Sequence, residues 1–293
     1  MSAPRHEVSV TRAVRYGSGI VGHPAAPRER ALLLDVYAPV GANGPRPALV
    51  MAFGGALHRG SREKDRVDEE GQRNTTIAEY CARFAARGYV AFSIDYRLIP
   101  EDPHPGETPL ISSPRGMPRA RVDYVRKLMG LPPITTEQLL GGSEAACDDM
   151  EKAIAFVRSN AARFGIDPGR LALGGFSAGA RTALMVAFGA RVPVRGVVSL
   201  SGFMGEEDLD RYVSGEPGQP KVMLVAGEQD LEHIAASFPG IAGHFESKNL
   251  LAAAHVIGGA NHFYPAESAV LLPGGGASTL QAEIEAFLAR ALA

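Results

Sequence analysis

Uninterrupted apolar runs alternate with amphipathic stretches along most of the 293-residue chain. The run Pro47–Phe53 is apolar throughout, which is typical of a strand covered on both faces of a sheet. Glu144–Phe164 instead carries apolar residues at helical spacing, which predicts a long amphipathic helix. Further strands are predicted at Val8–Arg15, Ala31–Tyr37, Tyr89–Tyr96, Leu171–Leu173, Val194–Leu200, Lys221–Ala226 and Ala252–Ile257, and further helices at Thr75–Arg87, 178–190 and Leu280–Leu292.

This alternation predicts an α/β protein with a mostly parallel central sheet of about eight strands and helices on both faces. The two opening strands lie close together in sequence, which favours an antiparallel edge. Regular patterning fades between residues 100 and 143, where prolines recur. Because that segment is too long for a plain connection, we expect one domain over residues 1–293 with an insertion, 100–143, that forms a cap over the strand ends.

Glycine-rich breaks follow four of the predicted strands, at residues 54, 175, 227 and 258. In an open, mostly parallel sheet, ligands bind beyond the carboxyl ends of the strands. We therefore expect the four breaks to cluster on one rim of the sheet.

The second break, Gly175-Phe176-Ser177-Ala178-Gly179, has the G-x-S-x-G spacing of a nucleophile elbow. A tight strand–turn–helix connection exposes the serine hydroxyl, and side chains at 175 and 179 would clash with nearby backbone. Alone, the pentapeptide fits an ordinary strand–helix turn equally well. Its expected place on a rim with three other breaks favours Ser177 as a nucleophile.

A serine nucleophile needs an adjacent base, and in this type of fold the order along the chain is serine, acid, histidine. Four histidines follow Ser177. His262 comes directly after a strand end and is favoured over His255, which lies inside the predicted strand. His233 and His244 fall in or beside a helical stretch, where a solvated histidine is the usual case.

Asp230 is the favoured acid, because it lies on the loop that leaves a predicted strand. Glu228, two residues nearer the strand, is the alternative. Asp208 and Asp210 belong to a charge run that we interpret as a solvated loop. The acid would fix the tautomer of the imidazole and stabilise the imidazolium without taking the proton itself.

The oxyanion of a tetrahedral intermediate needs backbone N–H donors. One is expected from Ala178, directly after the nucleophile, and the others from Gly54-Gly55-Ala56, where the chain leaves a strand. A simple glycine turn is the alternative for the second group, but it does not explain why that turn falls on the predicted rim.

Four segments, taken in order, resemble the carboxylesterase and hormone-sensitive-lipase-like group of the α/β-hydrolases over roughly residues 30–265. Leu34–Pro39 resembles the family's second strand, and Phe53–Ala56 resembles its His-Gly-Gly-Gly oxyanion motif. Asp95–Glu101 is close to its Asp-Tyr-Arg-Leu-Ala-Pro-Glu segment, and Gly165–Gly179 is similar to its nucleophile region. The joint order of the segments is more specific than any one of them.

The resemblance implies an α/β-hydrolase fold, a small-molecule ester substrate, no metal and no organic cofactor. It also implies six site residues: Ser177 as nucleophile, Asp230 as acid, His262 as base, and Gly55, Ala56 and Ala178 as oxyanion donors.

The sequence departs from the family pattern in the oxyanion motif. Phe53 stands in place of a histidine, and Ala56 in place of the third glycine. A backbone N–H survives both changes, so the oxyanion hole is still expected, with His58 or Arg59 bracing the loop in a different way.

Composition narrows the classes of function. The formal net charge of -2 gives no reason to expect a nucleic-acid partner. No apolar run approaches the roughly 18–20 residues that span a bilayer, and Met1–Glu7 lacks a signal-peptide pattern, so we expect a cytoplasmic protein without a stable membrane anchor. Cys81 and Cys147 match no metal or redox motif and are expected to be buried thiols, with a single bridge between them left open.

We therefore hypothesise a serine hydrolase that cleaves carboxylic esters of small to medium acyl chain, because the segment 100–143 contains no long apolar lid. One alternative is the same triad acting on an amide, peptide or thioester. Another is a non-catalytic binding protein that has kept the fold. The sequence leaves the oligomeric state open, a homodimer included.

Overall fold

The computed structural model describes residues 5–41, 44–69, 71–106, 109–272 and 276–293. Its strands are β1 (Val8–Val21), β2 (Arg28–Pro39), β3 (Arg46–Ala52), β4 (Asp68–Glu69), β5 (Gln72–Arg73), β6 (Val90–Ile94), β7 (Ile166–Phe176), β8 (Gly196–Leu200), β9 (Lys221–Gly227), β10 (Leu251–Ile257), β11 (Ala269–Leu271) and β12 (Ala277–Thr279). Its α-helices are α1 (Ile77–Ala86), α2 (Arg119–Leu128), α3 (Thr136–Ser159), α4 (Ala161–Phe164), α5 (Ala178–Leu184), α6 (Glu206–Tyr212), α7 (Glu232–Ser247) and α8 (Leu280–Ala291). Short 3₁₀ turns cover Ile99–Glu101 and Pro114–Gly116, and a π-helical turn covers Met185–Gly189.

Eight of these strands form one sheet in the order β1-β2-β6-β3-β7-β8-β9-β10. The pairs β1–β2 and β2–β6 are antiparallel, and the remaining neighbours are parallel. The predicted mostly parallel sheet with an antiparallel edge is confirmed. The order also places β3 beside β7, so the loop that leaves β3 and the turn that leaves β7 are neighbours.

Helices cover both faces of the centre of the sheet. All residues of β6 and β8 are buried, although successive side chains of a strand point to opposite faces. The helices α1 and α8 lie on one face, where Arg87 at the end of α1 pairs with Glu285 of α8 at 3.0 Å, whereas α3 and α5 pack together on the other face. Gly196 of β8 allows α8 to come close, because a Cβ there would lie 3.0 Å from the ring of Phe287.

The long helix predicted to begin at Glu144 begins at Thr136. The hydroxyl of Thr135 accepts a hydrogen bond from the Gln138 N–H and caps this end. Glycine is required within the added turns, because a Cβ at Gly142 would lie 2.2 Å from Cγ1 of Ile99. The described part of the segment 100–143 therefore contains the end of one 3₁₀ turn, a second 3₁₀ turn, α2 and the start of α3.

The charge run that we interpreted as a solvated loop is a helix, so that interpretation is wrong. Glu206–Tyr212 forms α6, and Asp208 is buried on it. One carboxylate oxygen of Asp208 accepts a hydrogen bond from the Ser112 N–H at 2.8 Å. The carboxylate thereby ties the 100–143 segment to α6.

Both cysteines are free and buried, as expected, and no bridge joins them. Burial raises the pKa of the Cys81 and Cys147 thiols. Within the described ranges, no helix is both long enough and apolar enough to cross a membrane.

Candidate active site

The predicted breaks meet at the carboxyl ends of neighbouring parallel strands. A Cβ on Gly54, after β3, would lie 3.0 Å from Cβ of Ser177, after β7. A Cβ on Gly227, at the end of β9, would lie 2.1 Å from the carbonyl oxygen of Asn261, in the turn after β10. The four segments therefore form one site on a single rim.

Ser177 lies at the apex of a strained turn between β7 and α5. Its φ of 54° and ψ of -117° are unusual for a residue with a side chain. Glycine is required on both sides: a Cβ on Gly175 would lie 2.5 Å from the carbonyl carbon of Gly179, and one on Gly179 would lie 2.2 Å from the carbonyl oxygen of Ala52. The turn pushes the serine hydroxyl away from its neighbours and into a cavity.

The three residues predicted as a catalytic triad are in hydrogen-bond contact. The Ser177 hydroxyl lies 2.9 Å from Nε2 of His262, and Nδ1 of His262 lies 2.6 Å from Oδ1 of Asp230. Since a carboxylate only accepts, Nδ1 carries the hydrogen and Nε2 is left to accept from the serine. This tautomer can withdraw the serine proton.

Asp230 is buried and held by several donors. Its Oδ2 accepts from the Gly227 N–H at 2.9 Å, and its Oδ1 accepts from the Leu231 N–H at 2.8 Å. Burial acts to raise the pKa of this carboxyl, but the hydrogen bonds, with that from His262 the largest, outweigh burial and keep the pKa of Asp230 below its usual value. The carboxylate is therefore charged at neutral pH and stabilises a charged imidazolium.

Ser201 is a further member of this network that the sequence reasoning missed. Its hydroxyl donates to Oδ2 of Asp230 at 2.6 Å and lies 2.8 Å from the Tyr264 hydroxyl. Because the Ser201 hydrogen points to Asp230, the Tyr264 hydroxyl donates to Ser201. One signal could have found it: Ser201 follows the strand β8 directly, on the same rim as Ser177.

The loop after β3 places two backbone N–H groups beside Ser177. Gly55, Ala56 and Leu57 all have positive φ, at 94°, 55° and 60°. Among the described residues, no hydrogen bond from the N–H groups of Gly55, Ala56 or Ala178 is found. These three predicted oxyanion donors line the cavities at Ser177.

The side chain that braces this loop is His58. Its Nδ1 donates to the Ala56 carbonyl at 2.7 Å, so its Nε2 accepts from Nη1 of Arg126 at 3.1 Å. Burial lowers the pKa of His58 and the charge of Arg126 adds to this, against the opposing effect of the Ala56 carbonyl. Neutral His58 therefore links the oxyanion loop to α2. Arg59 contacts the loop through its backbone, donating to the Gly55 carbonyl at 3.3 Å.

Two cavities open from Ser177 with different linings. The wide cavity, of about 300 Å³, is bordered by His262, Phe263 and several polar and charged residues. The narrow cavity, of about 40 Å³, lies towards α2 and α3 and is mostly apolar. Its apolar lining includes Leu57, Met117, Val122, Leu139, Phe203 and Ile234.

The other residues weighed as base or acid lie away from the triad, with one exception. Glu228 is exposed and accepts from the Gly259 N–H at 2.7 Å. His255 lies 3.8 Å from Glu283, and His244 lies 3.8 Å from Asp210. His233 is the exception, because it is half-buried and lines the narrow cavity rather than facing solvent.

Comparison with known proteins gives partial matches of sequence and broad matches of structure. A sequence-family profile described as BD-FAE matches residues 142–230, which include Ser177 and Asp230. No curated protein matches the chain significantly.

Several solved esterases share the architecture over most of the chain. An esterase of the planctomycete Thermogutta terrifontis superposes with a TM-score of 0.55 at 18% identity, covering 88% of this chain and 85% of that one. For a hyperthermophilic esterase of the archaeon Pyrobaculum calidifontis, the TM-score is 0.53 at 20% identity, covering 89% and 77%. For a bacterial heroin esterase, it is 0.55 at 19% identity, covering 87% and 76%.

The fold, with its eight-stranded sheet and its elbow after β7, is that of an α/β-hydrolase. The α/β-hydrolase resemblance seen in the sequence is therefore confirmed at the level of the fold, which the three esterases share with this chain.

Proposed function

We propose that the protein is a serine hydrolase that cleaves carboxylic esters through an acyl-enzyme on Ser177. The observation that carries the proposal is the hydrogen-bonded line from the Ser177 hydroxyl through His262 to Asp230. A serine hydroxyl becomes an effective nucleophile only when a base takes its proton, and the tautomer of His262 is set for that step.

The reaction follows from the positions of these groups. Oγ of Ser177 attacks the ester carbonyl carbon as His262 takes the hydroxyl proton, and the oxyanion that forms accepts from the N–H groups of Gly55, Ala56 and Ala178. His262 then returns the proton to the leaving alcohol as the carbon–oxygen bond breaks. Water attacks the acyl-enzyme with the same base, releasing the acid and restoring the serine.

We assign the alcohol part and the acyl part of the substrate to different cavities. Since His262 must reach the leaving oxygen and borders the wide cavity, the alcohol part lies in the wide cavity. The acyl part then occupies the narrow one. A water-sized group needs about 10–15 Å³ of such volume, so the narrow cavity holds about three or four such groups beyond the carbonyl. This supports a short acyl chain, and the Thermogutta terrifontis esterase was solved with propionate bound.

The test combines a substituted nucleophile with a covalent label. Ser177→Ala is expected to lower kcat for a short activated ester by about 10⁵-fold or more, with the circular dichroism spectrum unchanged. Paraoxon, which phosphorylates Thermogutta terrifontis esterase 2, is expected to label Ser177, located by peptide mass mapping.

The matched control is Ser247→Ala, which removes an exposed hydroxyl that donates to the His244 carbonyl. It should keep native turnover and native labelling. Turnover near the native value in Ser177→Ala, or a label on another residue, would contradict the proposal.

A further inference from the structure

Arg181 brings a buried charge to the narrow cavity. It lies on α5, four residues after Ser177, and its side chain is 7% exposed. Two groups that line the narrow cavity contact its guanidinium: the sulfur of Met117 lies 2.9 Å from Nη2, and the ring centroid of Phe203 lies 5.6 Å from Cζ. The guanidinium therefore borders the space that we assign to the acyl chain.

The hydrogen-bond partners of this guanidinium are weak. A thioether sulfur is a poor acceptor, and the nearest carboxylate oxygen, Oδ2 of Asp208, lies 3.8 Å from Nη2. The other oxygen of Asp208 already accepts from Ser112. Nε of Arg181 is buried and has no hydrogen-bond acceptor among the described residues.

The charge of Arg181 is incompletely balanced as a result. Burial lowers its pKa, and the opposing effects of Cys147, Asp208 and Glu144 are smaller than that of burial. Glu144 is occupied by the N–H groups of Leu110 and Ile111. A buried charge without full pairing is unfavourable, so an additional acceptor in the cavity would improve the environment of the guanidinium.

A second polar group faces the same space without adding charge. His233 lines the narrow cavity with its ring edge-on to Phe203, at 5.0 Å between centroids. Burial, together with the nearby His262, lowers the pKa of His233 to about 4. A neutral imidazole there can donate one hydrogen bond to an acyl group.

We propose that this pocket selects acyl groups that end in a carboxylate, with the carboxylate bound by Arg181. The substrates would be hemiesters of short dicarboxylic acids, and the inference rests on the proposed function for the ester chemistry. The volume of the narrow cavity fits about one methylene group and a carboxylate beyond the carbonyl. Arginine and carboxylate form strong, charge-assisted hydrogen bonds, often in pairs.

The experiment compares two esters of the same shape and different charge, monoethyl malonate and ethyl malonamate. Hydrolysis is followed by pH-stat titration. The native protein is expected to show a kcat/KM for monoethyl malonate about 10–100-fold above that for ethyl malonamate. Arg181→Gln should reduce this ratio to near 1, and Arg181→Lys should keep part of it.

Asp208→Asn provides a change in the opposite direction. It removes a negative charge beside Arg181 and keeps an acceptor for Ser112, so the ratio should rise above the native value. Arg290→Gln, a substitution of an exposed arginine on α8, is the matched control and should keep the native ratio. A native ratio near 1, or a native ratio retained in Arg181→Gln, would overturn the inference.

A binding measurement separates this inference from the ester chemistry. Calorimetry with Ser177→Ala should detect tighter binding of monoethyl malonate than of ethyl malonamate, and Arg181→Gln in that background should abolish the difference. If the native protein hydrolyses neither these two esters nor a short activated ester, the proposed function fails, and the calorimetric difference still decides whether the pocket binds a carboxylate selectively. Equal binding of the two esters overturns the pocket inference while ester hydrolysis can stand.

Discussion

Two serines at neighbouring strand ends contact the same hydrogen-bond network and have different roles in it. Ser177 contacts the imidazole of His262, whereas Ser201 contacts only the carboxylate behind it, along with Tyr264. Asp230 lies between Ser201 and His262, so His262 cannot take the proton of the Ser201 hydroxyl directly. Ser201 is a positioning residue for Asp230.

Ser201→Ala is therefore expected to slow the reaction without abolishing it. Losing one donor to a buried carboxylate costs about 1.5–3 kcal/mol, so kcat should fall about 10–100-fold with little change in KM. Steady-state kinetics on a short activated ester measures both constants. A loss as large as that of Ser177→Ala would show that Ser201 is the nucleophile instead.

Asp65 is a buried carboxyl beside the wide cavity that the reaction does not use. Its Oδ2 accepts from the Ile77 N–H at the start of α1, whereas its Oδ1 is buried without a partner among the described residues. Burial raises the pKa of Asp65 to about 7, and the Ile77 N–H opposes this only in part. The folded protein therefore holds this proton more tightly than the unfolded chain does.

This pKa predicts a pH-dependent effect of Asp65→Asn. Between pH 4 and pH 7 the native free energy of unfolding loses the Asp65 contribution as pH rises, because the folded carboxyl is forced to ionise while buried. Asn keeps the acceptor for Ile77 and does not ionise, so its advantage over the native protein should grow across that window, by at most about 4 kcal/mol, and stay constant above it. Urea unfolding at a series of pH values measures this.

Asp167→Asn is the control of opposite sign. The pKa of half-exposed Asp167 is lowered by the Gly169 N–H and by Arg170. Its stabilising contribution is present above its unfolded pKa and is lost as pH falls. If the two variants showed the same pH trend, the account of Asp65 would be wrong.

At the residue scale, sequence reasoning selected three residues that follow strands with a glycine break, and it missed Ser201 and Arg181, whose partners are distant in sequence. Ser177, Asp230 and His262 each follow an apolar run with a glycine break, which local sequence displays. Arg181 is hidden in a helix, and its environment depends on Met117, Phe203 and Asp208, contributed by other parts of the chain. No local pattern carries that information.

The elbow between β7 and α5 depends on close backbone contact. Gly179→Ala would bring a Cβ to 2.2 Å from the Ala52 carbonyl oxygen and 2.4 Å from that of Phe53. Since backbone atoms at the end of β3 cannot move aside, we expect a loss of about 3 kcal/mol or more in the free energy of unfolding, together with loss of the proposed esterase activity.

Gly243→Ala is the matched control within a helix. A Cβ at Gly243 of α7 would meet nothing within 4 Å, so alanine should be neutral or stabilise by up to about 1 kcal/mol. Thermal or urea unfolding of both variants tests the comparison. Similar effects in the two would mean that helix propensity, and not the elbow contact, sets the result.

At the scale of elements, strands were predicted more reliably than the segment between β6 and α3. Continuous apolar runs such as β3 carry their own signal, because burial on both faces excludes polar residues. The start of α3 contains Gly141 and Gly142, which are unfavourable within a helix. Contact with Ile99 requires Gly142 there, and that contact appears only in the folded chain. Whether 100–143 acts as a cap stays a prediction.

Arg97 links several parts of the molecule behind the sheet edge. Its guanidinium binds Asp149 on α3 at 2.8 Å and Asp148 at 2.9 Å, and it donates to the backbone carbonyls of His104 and Ile20. Space for it depends on Gly19 of β1, where a Cβ would lie 2.4 Å from Nε. The Asp149 side chain is fully buried.

Arg97→Met is expected to lower the free energy of unfolding by about 3–5 kcal/mol, because it leaves the Asp149 carboxylate buried without its main partner. The double variant Arg97→Met, Asp149→Leu should recover part of that loss. Urea unfolding measures both. As a control, Lys152→Met removes a half-exposed partner of Asp148 and should lower the free energy of unfolding by less than about 1 kcal/mol. If the double variant were less stable than Arg97→Met, the charge argument would be wrong.

For the whole molecule, the order of elements along the chain was enough to predict the architecture, because strands and helices that alternate pack in few ways. The order of the strands in the sheet was not predicted. It depends on crossovers that bring β6 between β2 and β3, and these follow from packing between distant segments.

The hydrogen bond between His58 and Arg126 couples the segment 100–143 to the loop after β3. The α2 helix lines the narrow cavity through Val122. Through Arg126 it also holds His58, which supports the loop after β3. Under the proposed function, α2 therefore contributes both to substrate choice and to the reaction rate. Residues 100–143 could be exchanged for the corresponding segment of an esterase to change the substrate specificity. The exchange would remove Arg126 and so release the loop that is proposed to hold the oxyanion, unless the new segment supplied its own donor to His58.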